Sequence, residues 1–145
     1  METNHQYEVN LQWVQDRKGI IQSPVLPLKI EVATPPDFPK GMPDIWSPEH
    51  LFVAAVNSCL MTTFLAIAEN SKLDFIRFES NAVGNVEQVD GKFKVTEIIL
   101  KPVVTIPSSM NADRAERIVQ KSEANCLISN SITTKISLET KIIVA

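Results

Sequence analysis

One stretch of this chain constrains its fold more than any other. From Leu51 to about Ser71 the residues are apolar on most of a helical circumference. Ser47, Pro48 and Glu49 precede this stretch and suit an N-cap, a first helical position and the positive end of a helix dipole. A helix that is apolar nearly all round belongs in the middle of a core or at a subunit interface. We therefore predict a central buried helix with sheets on more than one side.

Alternating apolar and polar residues, typical of half-buried strands, occupy much of the remaining chain. A proline-rich crossover loop precedes the central helix, and a second, amphipathic helix, capped by Ser109 or Asn111, is predicted to run to about Asn125. This order predicts one α+β domain over residues 1–145. The predicted strands and turns are a strand around Tyr7–Trp13, a turn at 16–19, a return strand from Ile20, a strand at 28–32, a strand from Phe75 to Val86, a turn at Asp90-Gly91, a strand from Phe93 to Ile106 bent or interrupted at Pro102, and a closing strand from Lys135 to Val144.

The charge and composition exclude several classes of protein. A formal net charge of −3 without clustered basic residues argues against a nucleic-acid partner. The N-terminus lacks a basic segment followed by an apolar run, and no uninterrupted apolar run reaches the roughly 18–20 residues of a membrane span. We expect a soluble, cytoplasmic protein without a metal, with His5 and His50 at the surface.

The two cysteines, Cys59 and Cys126, lie 67 positions apart, too far for a CxxC redox or zinc pattern. A static disulfide is disfavoured in a reducing compartment. Two interpretations remain open: two inert buried thiols, or a reactive pair that the fold brings together. Cys126 follows the end of a predicted helix, and if it begins a new helical segment the exposed amides there favour a thiolate.

Cys59 lies about three turns into the central helix, among polar residues in a segment otherwise built to exclude water. These residues either serve the thiol or satisfy backbone carbonyls, as hydroxyl and amide side chains often do in helices. They are Asn57, Ser58, Thr62 and Thr63.

A thiol that reduces a peroxide needs three components: a thiolate, a cation that holds it, and a second thiol that resolves the sulfenic acid. The chain offers candidates for each. Arg17, in the turn after the first strand, is the candidate cation, and Lys18 beside it is the alternative.

Residues 48–59, Pro-Glu-His-Leu-Phe-Val-Ala-Ala-Val-Asn-Ser-Cys, resemble the central-helix signature of the OsmC/Ohr family, Pro-Glu-x-Leu-hydrophobic-Ala-Ala-x-x-x-Cys. The segment Cys126-Leu127-Ile128-Ser129 is similar to the family's Cys-Pro-x-Ser, with Leu127 where proline is often found. The strand order matches along nearly the whole chain. The surroundings of Arg17 depart from the pattern, since they lack the Gly-rich sequence typical of Ohr proper.

The resemblance implies an OsmC-like fold, in which antiparallel sheets wrap around a central buried helix and two chains form an intertwined homodimer. It implies two active sites at the subunit interface, each with a peroxidatic Cys59, a resolving Cys126, and Glu49 and Arg17 around the thiolate. It also implies an activity: reduction of organic hydroperoxides at the expense of an external dithiol, a lipoyl group in the Ohr branch, without metal or flavin.

Two functions are therefore carried forward. The first is a thiol-dependent peroxidase, with an apolar wall that favours alkyl or aryl hydroperoxides over H2O2. The wall is predicted from Met42, Trp46, Phe52, Met61 and Phe64. The second is a non-catalytic, dimeric OsmC-like protein that binds an apolar ligand or senses redox state. An α+β domain with two inert cysteines is the third, structural alternative.

Overall fold

The structure, a computed structural model, describes residues 4–145. Residues 1–3, which begin the segment considered for a signal peptide, lie outside the described range. The chain divides into two compact units, Met1–Leu51 and Phe52–Ala145. Two α-helices and two sheets give the predicted α+β class.

The N-terminal unit is a three-stranded antiparallel sheet. Its strands, in spatial order, are β1 (Asn10–Gln15), β2 (Lys18–Ser23) and β3 (Leu26–Ala33). The β1–β2 turn is shorter than the predicted 16–19, because Lys18 and Gly19 already belong to β2 and pair with residues of β1 and β3. Asp16, with φ of 49°, takes the left-handed conformation that the tight turn requires.

One face of this sheet is apolar and exposed. Leu11 pairs with Ile21, which pairs with Ile30, so the three side chains lie on the same face. Trp13 and Leu28 extend that face by alternation along their strands, and they are 73% and 80% exposed. We refer to these five residues as the apolar sheet face. Four of the five side chains are exposed, and Ile21 is half-buried.

The long helix α1 spans Pro48–Asn70 and begins where the sequence predicts. Ser47 is its N-cap, because the Ser47 hydroxyl accepts a hydrogen bond from the His50 amide at 3.1 Å. Four residues at a spacing of four are buried, and the rest of the circumference is half-buried or exposed, so burial within one chain is confined to one stripe. The buried stripe consists of Val56, Leu60, Phe64 and Ala68.

By length and composition α1 also resembles a membrane span, with a mean hydropathy of 2.0 over 18 residues. The core helix of a soluble protein has the same composition, so this resemblance is weak evidence for a membrane location.

The C-terminal unit contains a four-stranded sheet built around one long strand. Strands β4 (Arg77–Val89) and β5 (Lys92–Ile106) form an antiparallel hairpin. Its turn is the predicted Asp90-Gly91, whose φ angles of 51° and 78° fit the primed turns that hairpins prefer. The predicted closing strand is two short strands, β6 (Lys135–Leu138) and β7 (Lys141–Val144), both parallel to β5.

Pro102 does not interrupt β5, contrary to the sequence-based expectation. The strand is continuous from Lys92 to Ile106, and Pro102 pairs with Ser80 of β4. On its other edge, β5 pairs with β6 up to Leu100 and with β7 from Val103 onward. Pro102 falls between these two ladders, where the missing N–H removes no strand pairing.

The second helix, α2, spans Ala112–Ala124 and is capped by Asn111, whose side chain accepts from the Arg114 amide at 2.9 Å. A short 3-10 turn, Ser129–Ser131, follows it. Buried residues of α1, α2 and β5 form two adjoining apolar clusters. Gly84 of β4 allows α1 to approach closely, because a Cβ there would lie 2.6 Å from Val53 Cγ2.

A substitution of Phe64 can test the assignment of this core. It is fully buried and its ring stacks near Phe75 and Phe78, with centroids 5.2 and 4.8 Å away. We expect Phe64→Ala to lower the free energy of unfolding by about 3–5 kcal/mol, because it leaves a cavity. Ile76→Ala, at a 61% exposed position, should cost less than about 0.5 kcal/mol. Urea unfolding at one fixed protein concentration measures both values, and equal losses would contradict this core assignment.

Candidate active site

Cys59 lies at the edge of the buried stripe of α1. It immediately precedes the buried Leu60 and is itself half-buried, so its thiol borders the core without being enclosed by it. One turn further on, Thr63 Oγ1 lies 3.9 Å from Cys59 Sγ. A hydroxyl at this position donates to the thiolate form of the cysteine.

The other polar neighbours of Cys59 serve the backbone and the sheet. Ser58 donates to the Ala54 carbonyl at 2.7 Å, and Thr62 donates to the Cys59 carbonyl at 3.2 Å. Asn57 bonds across to β4, where it donates to the Ser80 carbonyl at 2.9 Å and accepts from the Ser80 hydroxyl at 2.6 Å. Of the four polar residues noted from the sequence, Thr63 is the one that faces the thiol.

Cys126 is held in the turn that follows α2. Its amide donates to the Glu123 carbonyl at 3.1 Å, and its carbonyl accepts from the Asn130 amide at 3.0 Å. The Asn130 side chain also donates to the Ala124 carbonyl at 3.2 Å. These bonds fix the turn and leave Cys126 fully buried.

The two thiols meet although they are 67 positions apart in sequence. Both are free, and each thiol shifts the pKa of the other. Burial raises the pKa of the Cys59 thiol, but hydrogen bonds outweigh burial and hold that pKa below its ordinary value. The donors, in order of effect, are the Cys126 thiol, the Ile128 amide, the Thr63 hydroxyl and the Leu127 amide.

The backbone amides that follow α2 act on both thiols. The sequence suggested that amides after α2 favour a thiolate at Cys126. In the structure the Ser129 amide lowers the pKa of Cys126, as expected, and the amides of Leu127 and Ile128 lower the pKa of Cys59 as well. Leu127 stands where the family pattern often has proline, and proline has no N–H to donate. Leucine at this position therefore adds a donor to the Cys59 thiolate.

The pKa of Cys126 shifts in the opposite direction. Burial raises the pKa of its thiol, and the neighbouring Cys59 raises it further, while the Ser129 hydroxyl and amide oppose these effects without cancelling them. The pair is thus asymmetric: the pKa of Cys59 lies below its ordinary value and that of Cys126 above it, so Cys59 ionises more readily to the nucleophilic thiolate.

Sequence reasoning missed Glu123. Its Oε2 atom is buried, and burial raises the pKa of the carboxyl, while the Ser129 hydroxyl opposes that rise. The available signal was the spacing, since Glu123 and Ser129 lie three residues before and three residues after Cys126.

Arg17 and Glu49 belong to the N-terminal unit. Arg17 is exposed in the β1–β2 turn and borders an open cavity of about 330 Å³ with Leu11 and Trp13. No carboxylate among the described residues lies within salt-bridge distance of Arg17, whereas Lys18 Nζ pairs with Glu31 at 3.1 Å. Glu49 is half-buried in the first turn of α1.

Part of the predicted apolar wall is wrong. Phe64 is fully buried in the core against Phe75 and Phe78, so it presents no surface to a substrate. Met61 and Trp46 are exposed, at 39% and 54%. Over residues 4–145 no group of three or more histidine, cysteine, aspartate or glutamate side chains has a metal-binding arrangement.

Comparison with known proteins agrees with the fold and with the motif. A model of the OsmC-like protein family matches residues 41–141. An uncharacterized protein of Bacillus subtilis, YmaD, is 25% identical over 94% of this chain and 92% of its own length. Peroxiredoxin OsmC of Escherichia coli is 27% identical over 64% of each chain.

Solved structures show the same fold over nearly the whole chain. An OsmC-like protein of unknown function from Vibrio cholerae superposes with a TM-score of 0.85 at 25% identity, covering 94% of this chain and 99% of that one. An organic hydroperoxide resistance protein from Legionella pneumophila has a TM-score of 0.75 at 20% identity, covering 97% and 99%.

Leu127 provides a test of the amide donors. We expect Leu127→Pro to move the midpoint of the pH dependence of Cys59 alkylation upward, because it removes one N–H that stabilises the thiolate. Leu127→Ala keeps that N–H and should leave the midpoint unchanged. Iodoacetamide labelling with mass spectrometry of the Cys59 peptide measures the midpoint, and circular dichroism verifies that both variants fold. Identical midpoints in the two variants would contradict the role of this amide.

Proposed function

Because the chain belongs to the OsmC-like protein family, we propose that it is a thiol-dependent peroxidase that reduces organic hydroperoxides through Cys59. The observation that carries the proposal is the interaction of two free thiols whose pKa values shift in opposite directions, that of Cys59 downward and that of Cys126 upward. Two names support it: the Escherichia coli relative is a peroxiredoxin, and the Legionella neighbour is an organic hydroperoxide resistance protein.

In the first step, the Cys59 thiolate attacks the distal oxygen of the hydroperoxide. A sulfur–oxygen bond forms, the O–O bond breaks, and the alkoxide leaves with the electron pair and takes a proton to become the alcohol. Cys59 is oxidised by two electrons to a sulfenic acid. The amides of Leu127 and Ile128, with the Thr63 hydroxyl, stabilise the thiolate before the attack.

In the second step, Cys126 attacks the sulfenic sulfur, a disulfide forms, and the hydroxyl group leaves as water. An external dithiol then reduces the disulfide by thiol–disulfide exchange and becomes a disulfide itself. A lipoyl group is one dithiol of this class. No metal or organic cofactor takes part in the proposed cycle, and the cytoplasm is its proposed location because thiol reductants are maintained there.

We further propose that Arg17 and Glu49 complete the site from a second copy of the chain. Ten residues of α1 separate Glu49 from Cys59, a rise of about 15 Å, which is too long for direct contact within one helix. Within residues 4–145 no carboxylate pairs with Arg17, while Lys18 is paired with Glu31, so Arg17 is the better candidate for the cation.

The exposed apolar surface supports a homodimer. Four of the five side chains of the apolar sheet face are exposed, and α1 leaves Met61 and Leu65 about 40% exposed. Exposed apolar patches such as the sheet face mark interaction sites in soluble proteins. A second copy is the proposed partner because the family resemblance implies an intertwined homodimer.

The peroxidase reaction is tested directly on the reduced protein. We expect cumene hydroperoxide to convert Cys59 and Cys126 into a disulfide, and to do so faster than H2O2. Cys126→Ser should accumulate a Cys59 sulfenic acid that dimedone traps. Free-thiol counts and mass spectrometry of the two cysteine peptides measure these products over time.

Cys59→Ser is the control for this experiment. If wild-type thiols are lost no faster than in Cys59→Ser, the peroxidase function is refuted. If the disulfide forms but a dithiol supports no repeated consumption of hydroperoxide, the protein is a redox sensor, the non-catalytic alternative.

A mixed-dimer experiment tests whether Arg17 acts across the interface. We expect Cys59→Ser and Arg17→Ala to be inactive alone, since each lacks one part of every site. Co-expressed with different tags and isolated as the doubly tagged dimer, they should recover about one half of the wild-type activity, because every such dimer holds one intact site of two. Turnover of cumene hydroperoxide by the doubly tagged dimer gives the measurement.

The outcome separates the two arrangements. If Arg17 served the cysteine of its own chain, neither chain of the mixed dimer would contain an intact site and activity would stay at the level of the parents. Wild-type activity in Arg17→Ala alone would remove Arg17 from the site altogether.

A further inference from the structure

Thr63 differs from the other hydroxyl residues of the two helices. Ser58, Thr62 and Ser122 each donate to a backbone carbonyl of the preceding turn, at 2.7, 3.2 and 2.6 Å, which is a common use of a hydroxyl inside a helix. Within residues 4–145, the hydrogen-bond partner of Thr63 Oγ1 is the Cys59 sulfur instead. The Thr63 hydroxyl is thus directed to the thiol and not to the helix backbone.

Thr63 lies beside Cys59 on a rigid support. The two residues are four positions apart in α1, and side chains at this spacing lie on the same face of a helix. Both side chains are half-buried. Each is followed in sequence by a fully buried residue, Leu60 or Phe64, that packs α1 against the core. Packing of the helix therefore fixes the position of the hydroxyl relative to the sulfur.

The distance between the two atoms favours a role in the reaction over a role in the resting protein. At 3.9 Å, Thr63 Oγ1 makes a long and weak contact with Cys59 Sγ. Attack on a hydroperoxide brings two oxygen atoms to that sulfur, and negative charge develops on the proximal oxygen as the O–O bond breaks. A hydroxyl that bonds this oxygen at the ordinary distance of about 2.7–2.8 Å lowers the barrier, because the interaction is stronger in the transition state than before it.

The same oxygen needs a proton. An alkoxide is a strong base and a poor leaving group, so a donor positioned beside the proximal oxygen assists the cleavage of the O–O bond. The Thr63 hydroxyl is in position to donate, since it already contacts the attacking sulfur. The Cys126 thiol, which also acts on Cys59, is the competing donor.

We propose that Thr63 is a catalytic residue of the first half-reaction, and that its hydroxyl donates its proton to the alkoxide that leaves when Cys59 attacks the hydroperoxide. This role rests on the proposed peroxidase function and names the proton donor of its first step.

The proposed step balances. The Cys59 sulfur forms a bond to the distal oxygen, the O–O bond breaks, and its electron pair stays on the proximal oxygen. The Thr63 proton passes to that oxygen, and the alcohol leaves as a neutral molecule. Thr63 regains a proton from solvent, which replaces the proton that Cys59 released on ionisation. Cys59 is oxidised by two electrons to a sulfenic acid, and the hydroperoxide is reduced to the alcohol.

The basicity of the leaving group isolates this role. Cumene hydroperoxide releases a strongly basic alkoxide, which needs the proton, whereas perbenzoic acid releases benzoate, a weak base that leaves without one. The ratio of the two oxidation rates cancels any change in the thiolate fraction of Cys59, because both oxidants react with the same thiolate. Rapid quenching of the reduced full chain, with mass spectrometry of the Cys59 peptide, measures both rates at one pH.

We expect Thr63→Val, which keeps the shape and removes the hydroxyl, to slow oxidation by cumene hydroperoxide at least about tenfold relative to oxidation by perbenzoic acid. Thr63→Ala, a second variant without the hydroxyl, should behave in the same way. Thr63→Ser keeps the hydroxyl, and its rates should stay within about threefold of wild type. The matched control is Thr62→Val, the same change on a hydroxyl that bonds a backbone carbonyl, which should leave the ratio unchanged.

A wild-type ratio in Thr63→Val would overturn the proposal and leave Cys126 as the donor. Equal slowing with the two oxidants would also overturn it, because that result indicates a loss of thiolate or of packing; circular dichroism verifies folding. Failure of the peroxidase function is seen separately in the wild type, as oxidation of Cys59 by cumene hydroperoxide no faster than that of free cysteine. That result would refute both proposals, whereas the two results on Thr63→Val refute the role of Thr63 alone.

Discussion

Packing of the buried stripe of α1 against β5 is the interaction on which the site depends. Val56 and Leu60 cluster with Ile98 and Leu100 of β5. Further along α1, Phe64 and Ala68 cluster with Val104 and Ile106 of the same strand. This packing fixes the rotation of the helix about its axis. Because Cys59 lies one residue from the stripe, the same packing decides that its thiol borders the core.

The second thiol is placed by the same strand. Val119 of α2 belongs to the cluster formed by Phe64 and Val104, so α2 packs against the sheet that carries α1. The turn after α2 then delivers Cys126 and two backbone amides to Cys59. The pKa of the two thiols shifts in opposite directions because hydrogen bonds outweigh burial at Cys59, whereas burial and the neighbouring Cys59 outweigh the Ser129 hydroxyl and amide at Cys126.

Much of the fold follows from local sequence chemistry. Ser47-Pro48 and Asp90-Gly91 each specify a backbone conformation that few other residue pairs satisfy, and both elements begin or turn where expected. Pro102 and the split between β6 and β7 did not follow, because each depends on which strands lie beside β5. The alternation of apolar and polar residues along a strand does not indicate which strands pair with β5.

In the candidate site, too, some features were predictable from the local sequence and others depend on the tertiary structure. The motif register predicted Cys59 and Cys126 as the pair, and in the structure each thiol affects the pKa of the other. The target of the Leu127 amide and the burial of Glu123 depend on the path of the backbone through a tight turn, which side-chain patterns do not reveal. Phe64 was assigned to a substrate wall for a related reason: apolar character is the same in a core as in a pocket.

The gap at Pro102 has a consequence for the integrity of the sheet. Strand β5 is covered on one edge by two separate short strands, and each protects only its own half. Proteolytic nicking between them, at Glu139 or Thr140, would free β7 while β6 remained paired. The uncovered half of β5, from Val103 to Ile106, would then present unpaired backbone groups beside apolar side chains, a template for aggregation through edge pairing.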